Sequence, residues 1–359
     1  MATGEEGFKT VSKQRAQAAE ETSSEYTPLE KPRKVIRPRV LKKGSMVGIV
    51  APASPMFEEG DLEYTFQWLK KLGLRWKVGK HVADRLGDLA GTDDDRVKDF
   101  HEMWADPDVS AILPARGGNG SVRLLDKLNF DLIAKNPKIL IGYSDITGLL
   151  IPIHQETGLV TFHGATAGSF FESPYTYKYF ELALMHSKPL GLISDPTAKD
   201  AWDPEYPPPR MVITEGKARG RLTGGCLSLI RQLMGTPWEI DTKDKILFFE
   251  DFEEEPHNID RMVTQLQLAG KLDEAAGIII GECASCRPGD SKRNRVALNF
   301  SVERMLREKF ANFGKPVVYG MRLGHSREKF TLPLGVVAYL RADKNGTATL
   351  KIEEPATQD

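Results

Sequence analysis

Residues 46–163 alternate short apolar runs with stretches of helical periodicity, which predicts a parallel, doubly wound α/β sheet. The second half carries more strand signal and ends in two runs around Lys344-Asn-Gly346, the pattern of a hairpin with an Asn-Gly turn. Residues 189–210 between them are rich in Pro and Asp and include Trp202-Asp-Pro-Glu-Tyr-Pro-Pro-Pro209, the composition of a linker or surface loop. The expected organisation is therefore a disordered tail over 1–44, an α/β domain over 45–188, a linker over 189–212 and a β-rich, mixed domain over 213–359.

Met46-Val-Gly-Ile-Val-Ala-Pro52 is an apolar run stopped by proline and reads as the first buried strand. Leu62, Phe66, Leu69 and Leu72 then fall at helical spacing, followed by a strand over 74–78. Thr92-Asp-Asp-Asp95 is an acidic helix start ahead of Val97, Phe100 and Trp104. Strands are expected at 109–114, 139–142 and 159–163, with helices at 122–128 and 146–154. Beyond the linker, 211–222, 246–249, 277–281, 317–319, 335–340 and 347–352 read as strands and 259–268 as a helix.

The 49 basic residues nearly balance the 50 acidic ones, which argues against a dedicated nucleic-acid binder. No apolar run is long enough to span a membrane. Residues 1–30 hold six Glu and three basic residues, unlike a secretory signal or a transit peptide, and 31–43 hold seven basic residues and no acid. Three cysteines give no disulfide framework and point to a reducing, cytoplasmic setting. Cys283-Ala-Ser-Cys286 lacks a second ligand pair and precedes Arg-Pro-Gly-Asp, so it reads as structural rather than as a metal or redox site.

Two strand-to-helix turns could carry chemistry. In Ile139-Leu-Ile-Gly-Tyr-Ser-Asp-Ile-Thr147 the hydroxyl of Ser144 would stand above the sheet edge at a helix start, where backbone N–H groups can meet an oxyanion. The same position also suits a plain N-cap, and Ile146 replaces the second Gly of a G-x-S-x-G elbow. Ala115-Arg-Gly-Gly-Asn-Gly-Ser121 is a glycine-rich turn whose amides could approach a reacting carbonyl. As a dinucleotide loop it is poor, since Arg123 stands where the third Gly belongs, but a non-catalytic nucleotide or small-ligand module built on Gly118-Asn-Gly120 is the rival reading. A serine nucleophile needs a base and an orienting acid. Among seven histidines, His163 and His325 fall at strand ends, and the residues alone do not choose between them. Glu250, after the apolar run Ile246–Phe249, suits an orienting acid, although Glu250–Glu255 also reads as a solvated acidic turn.

Taken in order, several segments resemble the LD-carboxypeptidases, serine peptidase family S66. They are VGIVAPASP (47–55), ARGGNGSVRLLDKLNFDLIAKNPKILIGYSDITGLL (115–150), TFHGATA (161–167), GRLTGGCLSLIRQLMGTP (220–237), ILFFEDFEEEPHNIDRM (246–262), GIIIGEC (277–283) and GHSREKFTLPLGVVAYL (324–340). The resemblance implies a flavodoxin-like or amidotransferase-like N-terminal α/β domain, a β-rich C-terminal domain and a cleft between them. It implies Ser144 as nucleophile, His325 as base and Glu250 as orienting acid, with an oxyanion hole from the amides of Asp145 and of Gly117 or Gly118. Arg116 is a candidate for the substrate carboxylate, as is Arg261, with Asn119 and Trp202 at the rim. Asn119 stands where the family more often has Tyr, and Cys226 where GGNLS is usual; the segment between Glu282 and the helix at Val302 is extended. These departures concern substrate identity. The implied reaction is hydrolysis of an amide before a terminal D-residue in a murein tetrapeptide-like substrate, without metal or organic cofactor, by a homodimer. A branch that resembles the microcin C immunity peptidase would instead cut an aminoacyl-nucleotide conjugate.

Overall fold

The computed structural model describes residues 34–56, 58, 60–169, 173–197, 210–286 and 301–359. The centre of the predicted linker, with Trp202, lies outside them. Five strands of the first half, β1 (Met46–Val50), β2 (Arg75–Val78), β3 (Val109–Pro114), β4 (Ile139–Gly142) and β5 (Phe162–His163), pair in parallel. The remaining strands are β6 (Gly191–Ile193), β7 (Met211–Thr214), β8 (Gly216–Cys226), β9 (Ile246–Glu250), β10 (Gly277–Gly281), β11 (Val317–Met321), β12 (Leu332–Pro333), β13 (Val337–Ala342) and β14 (Ala348–Ile352). The first sheet runs β12-β5-β4-β3-β1-β2 and the second β6-β14-β13-β8-β9-β10-β11-β7. The expected α/β sheet and β-rich second half are both present.

Strands β9 and β10 are buried along their whole length, which explains why ILFFE and GIIIG read as near-continuous apolar runs. Strand β8 reaches them through Gly224 and Gly225. A Cβ on Gly224 would lie 1.8 Å from the Phe248 carbonyl oxygen, and one on Gly225 would lie 2.4 Å from Thr147 Cγ2. The second contact lets the helix Thr147–Thr157, which follows the Ser144 turn, sit directly on β8, and Cys226 N–H donates to Thr147 Oγ1 across 3.0 Å.

Three boundaries differ from the sequence reading. Strand β12 belongs to the C-terminal half yet pairs antiparallel with β5 of the first sheet, so the halves share a sheet rather than meeting as separate bodies. The predicted linker 189–212 contains β6 and the start of β7, because both find partners in the second sheet. The predicted tail ends earlier than residue 44. Ile36 pairs with the segment at 158–160, Val40 N–H donates to the Gln358 carbonyl, and Leu41 N–H to the Leu184 carbonyl. Val40 and Leu41 are buried to 7% and 2% exposure.

Burying two aliphatic side chains contributes about 1.5–3 kcal/mol each. A chain beginning at residue 42 should therefore melt several degrees below one beginning at residue 34. Equal melting temperatures would show that 34–41 adds nothing to the fold.

Candidate active site

Strand β4 delivers Ser144 through a sharp turn. Tyr143 is extended, Ser144 takes φ +60°, and a short 3-10 turn at Ser144–Ile146 leads into the helix Thr147–Thr157. A left-handed conformation at a residue other than Gly costs about 1–3 kcal/mol and persists only where its surroundings enforce it. Here Asp145 enforces it. Its buried carboxylate accepts from Ser121 N–H at 2.8 Å, and its carbonyl accepts from the Ser121 hydroxyl. Burial pushes the Asp145 carboxyl up, with the Ser121 donors pulling against it.

The glycine-rich turn lies against this serine. A Cβ on Gly117 would sit 2.8 Å from Ser144 Cβ, 3.0 Å from its Oγ and 3.2 Å from the Asp145 amide nitrogen. Only glycine leaves that space open beside the hydroxyl and the amide. Ser54 pins the turn from β1: its N–H donates to the Gly117 carbonyl at 3.2 Å, and its Oγ accepts from Asn119 N–H at 3.1 Å. Arg96, fully buried, donates to the Gly120 carbonyl at 2.9 Å. Neither Ser54 nor Arg96 stood out in the sequence. The cues were that Ser54 follows the first strand at its carboxyl end, where open α/β sheets place ligands, and that it lies in the VGIVAPASP segment.

Glu250 closes β9 at 0% exposure. Its Oε2 accepts from the His325 backbone N–H at 3.0 Å and faces His325 Nδ1 at 2.7 Å. Burial pushes the Glu250 carboxyl up, but the charge of His325, the hydrogen bonds from its ring and backbone and the nearby His163 outweigh it and leave the group below its ordinary value. The His325 ring stacks on Phe252 (centroids 4.8 Å, 10°) and meets the edge of Tyr143 at 4.9 Å. Tyr143 immediately precedes Ser144, so this contact brings the serine turn and the Glu250–His325 pair into one neighbourhood. Asp251, next along, accepts from Ser228 N–H at 2.9 Å and is pushed up to about 6 by burial and by Glu250.

His163, the other strand-end histidine, is also here, but on the far oxygen of the same carboxylate. Its Nε2 is 3.9 Å from Glu250 Oε1, and its ring is 0% exposed. Arg116 is half-buried beside the Gly117 turn, with Nη1 3.5 Å from the Pro55 carbonyl. Asn119 Nδ2 donates to Asp88 at 2.7 Å on the exposed rim. Arg261 is exposed, and its hydrogen bond goes to Asn258 on its own helix. Cys226, Cys283 and Cys286 are free thiols.

Residues 47–164 match the LD-carboxypeptidase N-terminal domain and residues 219–340 the LD-carboxypeptidase C-terminal domain. The chain belongs to the LD-carboxypeptidase family. It is a serine peptidase by that membership. It is 40% identical over 324 residues to a probable murein peptide carboxypeptidase of Bacillus subtilis (strain 168), covering 89% of this chain and 96% of that one. It is 32% identical over 292 residues to the microcin C7 self-immunity protein MccF of Escherichia coli, covering 75% of this chain and 82% of that one. A crystal structure of an MccF-like protein from Bacillus anthracis superposes with a TM-score of 0.77 at 29% identity, covering 89% of this chain and all of the other. The two-sheet fold is thus that of solved family members.

Burial pulls His163 down to about 4, against an ordinary 6.5. Between those values the unfolded chain binds a proton that the folded chain does not, so stability falls as pH drops through that window, by at most about 3 kcal/mol. Asp251 runs the opposite way between its ordinary 3.8 and about 6, and cancels in a comparison with His163→Leu. Urea melts should show wild type losing about 3 kcal/mol more than His163→Leu between pH 7 and pH 4. Parallel losses would show that His163 is charged in the fold.

Proposed function

We propose that the protein is a serine carboxypeptidase that releases a terminal D-residue from a murein tetrapeptide-like substrate through Ser144, His325 and Glu250. The observation that carries this reading is the 2.7 Å contact of His325 Nδ1 with the buried Glu250 carboxylate. A carboxylate only accepts, so in the proposed resting state Nδ1 donates to Glu250 and Nε2 is the acceptor. His325 Nε2 takes the Ser144 proton as Oγ attacks the carbonyl carbon before the D-residue. Glu250 supports the imidazolium that forms. The amides of Asp145 and of Gly117 or Gly118 receive the oxyanion, each donor worth about 3–4 kcal/mol. The tetrahedral intermediate collapses as His325 gives its proton to the leaving amine. Water, deprotonated by the same ring, then frees the acyl group from Ser144.

A carboxypeptidase also holds a free carboxylate. Arg116 is proposed for that role, since it is a half-buried cation next in sequence to Gly117, whose backbone lies against Ser144. Asn119 and Trp202 are proposed for the rim. Side chains and water complete this chemistry without a metal or organic cofactor, and the enzyme is proposed to work as a cytoplasmic homodimer. The 40% identity to a probable murein peptide carboxypeptidase favours the peptide substrate over an aminoacyl-nucleotide conjugate.

Ser144→Ala and His325→Ala should each lower kcat by roughly 10⁴–10⁶, and the double variant should be hardly worse than either, because the group acts as a unit. A fully active His325→Ala would remove His325 as base. Wild type should release D-alanine from an L,D-linked murein tetrapeptide faster than it cleaves an aminoacyl sulfamoyl nucleotide. The reverse preference would place the chain with the microcin-type enzymes.

A further inference from the structure

His163 is unexplained by the roles above. It pairs in register with Gly142 on β4 and with Leu332 on β12, so the first sheet fixes its backbone on both sides. Its ring crosses to the second sheet, edge-on to Phe248 of β9 at 5.3 Å and to Tyr143 at 6.5 Å. Among the described residues neither ring nitrogen has a hydrogen-bond partner, and neither does Glu250 Oε1. One of the two unpartnered ring nitrogens, Nε2, and the unpartnered carboxylate oxygen lie 3.9 Å apart. Leaving both unmet in a dry interior is costly for each. Closing the gap to a hydrogen bond needs a shift of about 1 Å, and catalytic hydrogen bonds commonly tighten when substrate binds.

We propose that His163 is a positioning residue for Glu250, its Nε2–H donating to Oε1 in the working enzyme so that Oε2 stays on His325. The inference rests on the proposed roles of Glu250 and His325. A neutral donor suits this task better than a cation. A cation at 163 would compete with His325 for the carboxylate charge. Three charged or titratable groups act on the ring besides its burial: Glu250 draws a proton to it, while His325 and Lys329 oppose one. Burial dominates and keeps the ring neutral. His163 therefore completes a chain from the first sheet, through the acid of the second, to His325, whose ring meets Tyr143 next to Ser144.

The donor stabilises the carboxylate most when His325 is unprotonated, since the bare anion has no ion-pair partner. Losing the donor should raise the proton affinity of the pair and move the acid limb of the kcat/KM profile to higher pH. The test is the kcat/KM–pH profile of wild type, His163→Leu and His163→Gln, with Ser144→Ala alongside. His163→Leu should lose about tenfold to hundredfold in kcat with little change in KM, and its acid limb should move up by at least about 0.5 pH. His163→Gln, whose amide can donate, should recover most of both. A His163→Leu with the wild-type limb and kcat within about threefold overturns the proposal. So does a His163→Gln as impaired as the Leu variant with an unmoved limb, which is the mark of a packing role alone. Should the Leu variant not fold, nitrogen NMR of wild type decides: a proton on Nε2 of His163 supports the proposal and one on Nδ1 overturns it. An active Ser144→Ala would instead overturn the proposed function, and this inference with it, whereas an inactive Ser144→Ala beside an unimpaired His163→Leu removes only the inference.

Discussion

The contact between Glu250 and His325 sets the terms for the rest of the site. A fully buried carboxylate is costly, and this one is offset by the backbone N–H and ring of a single residue. Two glycines make that approach possible. A Cβ on Gly324 would fall 2.0 Å from Glu250 Cδ, and one on Gly281 would fall 2.7 Å from Glu250 Cβ. Gly324 also takes φ +62°, a turn that aims the next backbone N–H at the carboxylate. The charge is felt nearby: Asp251 is pushed up to about 6, first by burial and then by Glu250, and spends its hydrogen bonds on Ser228 and Phe252. Phe252 in turn stacks on the His325 ring. The β9 terminus thus supplies both the acid and the aromatic surface that orient one imidazole.

The serine side obeys a second constraint, on backbone rather than charge. Ser144 is held at φ +60° by Asp145 and Ser121, and the hydroxyl is left facing Gly117 of the 116–120 turn. Strain at the nucleophile and open space beside it are two consequences of one arrangement. Any side chain at Gly117 would crowd the Ser144 hydroxyl and the Asp145 amide. The two constraints meet because Thr147 of the serine helix docks on β8, the neighbour of β9, at Gly225.

Much of this was legible in the residues, and the exceptions have physical causes. The turn at Gly142–Ser144 and the glycines at 117–120 announce themselves because strand, turn and helix are local patterns. Glu250 was visible as an acid ending an apolar run. By local pattern alone His325 and His163 were not separable, since each comes at or after the end of an apolar strand; only the family resemblance pointed to His325, because the difference between them is a distance in the fold. In the fold they flank the same carboxylate, one at 2.7 Å and the other at 3.9 Å. Strand β12 is two residues long and takes its partner from the other half of the chain, which no local pattern announces. Val40 and Leu41 lie in a basic stretch without periodicity, so their burial was likewise hidden. Ser54 and Arg96 act through backbone carbonyls and amides, which carry no sequence signature.

In the proposed mechanism Glu250 at the end of β9 and His325 in the turn after β11 together activate a serine in the turn after β4. Labelling with a fluorophosphonate, read by peptide mass spectrometry, tests it most directly. One adduct should form, on the peptide containing Ser144, and its rate should collapse in Glu250→Gln and in His325→Ala. An adduct on another residue, or undiminished labelling of Ser144 in those variants, would contradict it.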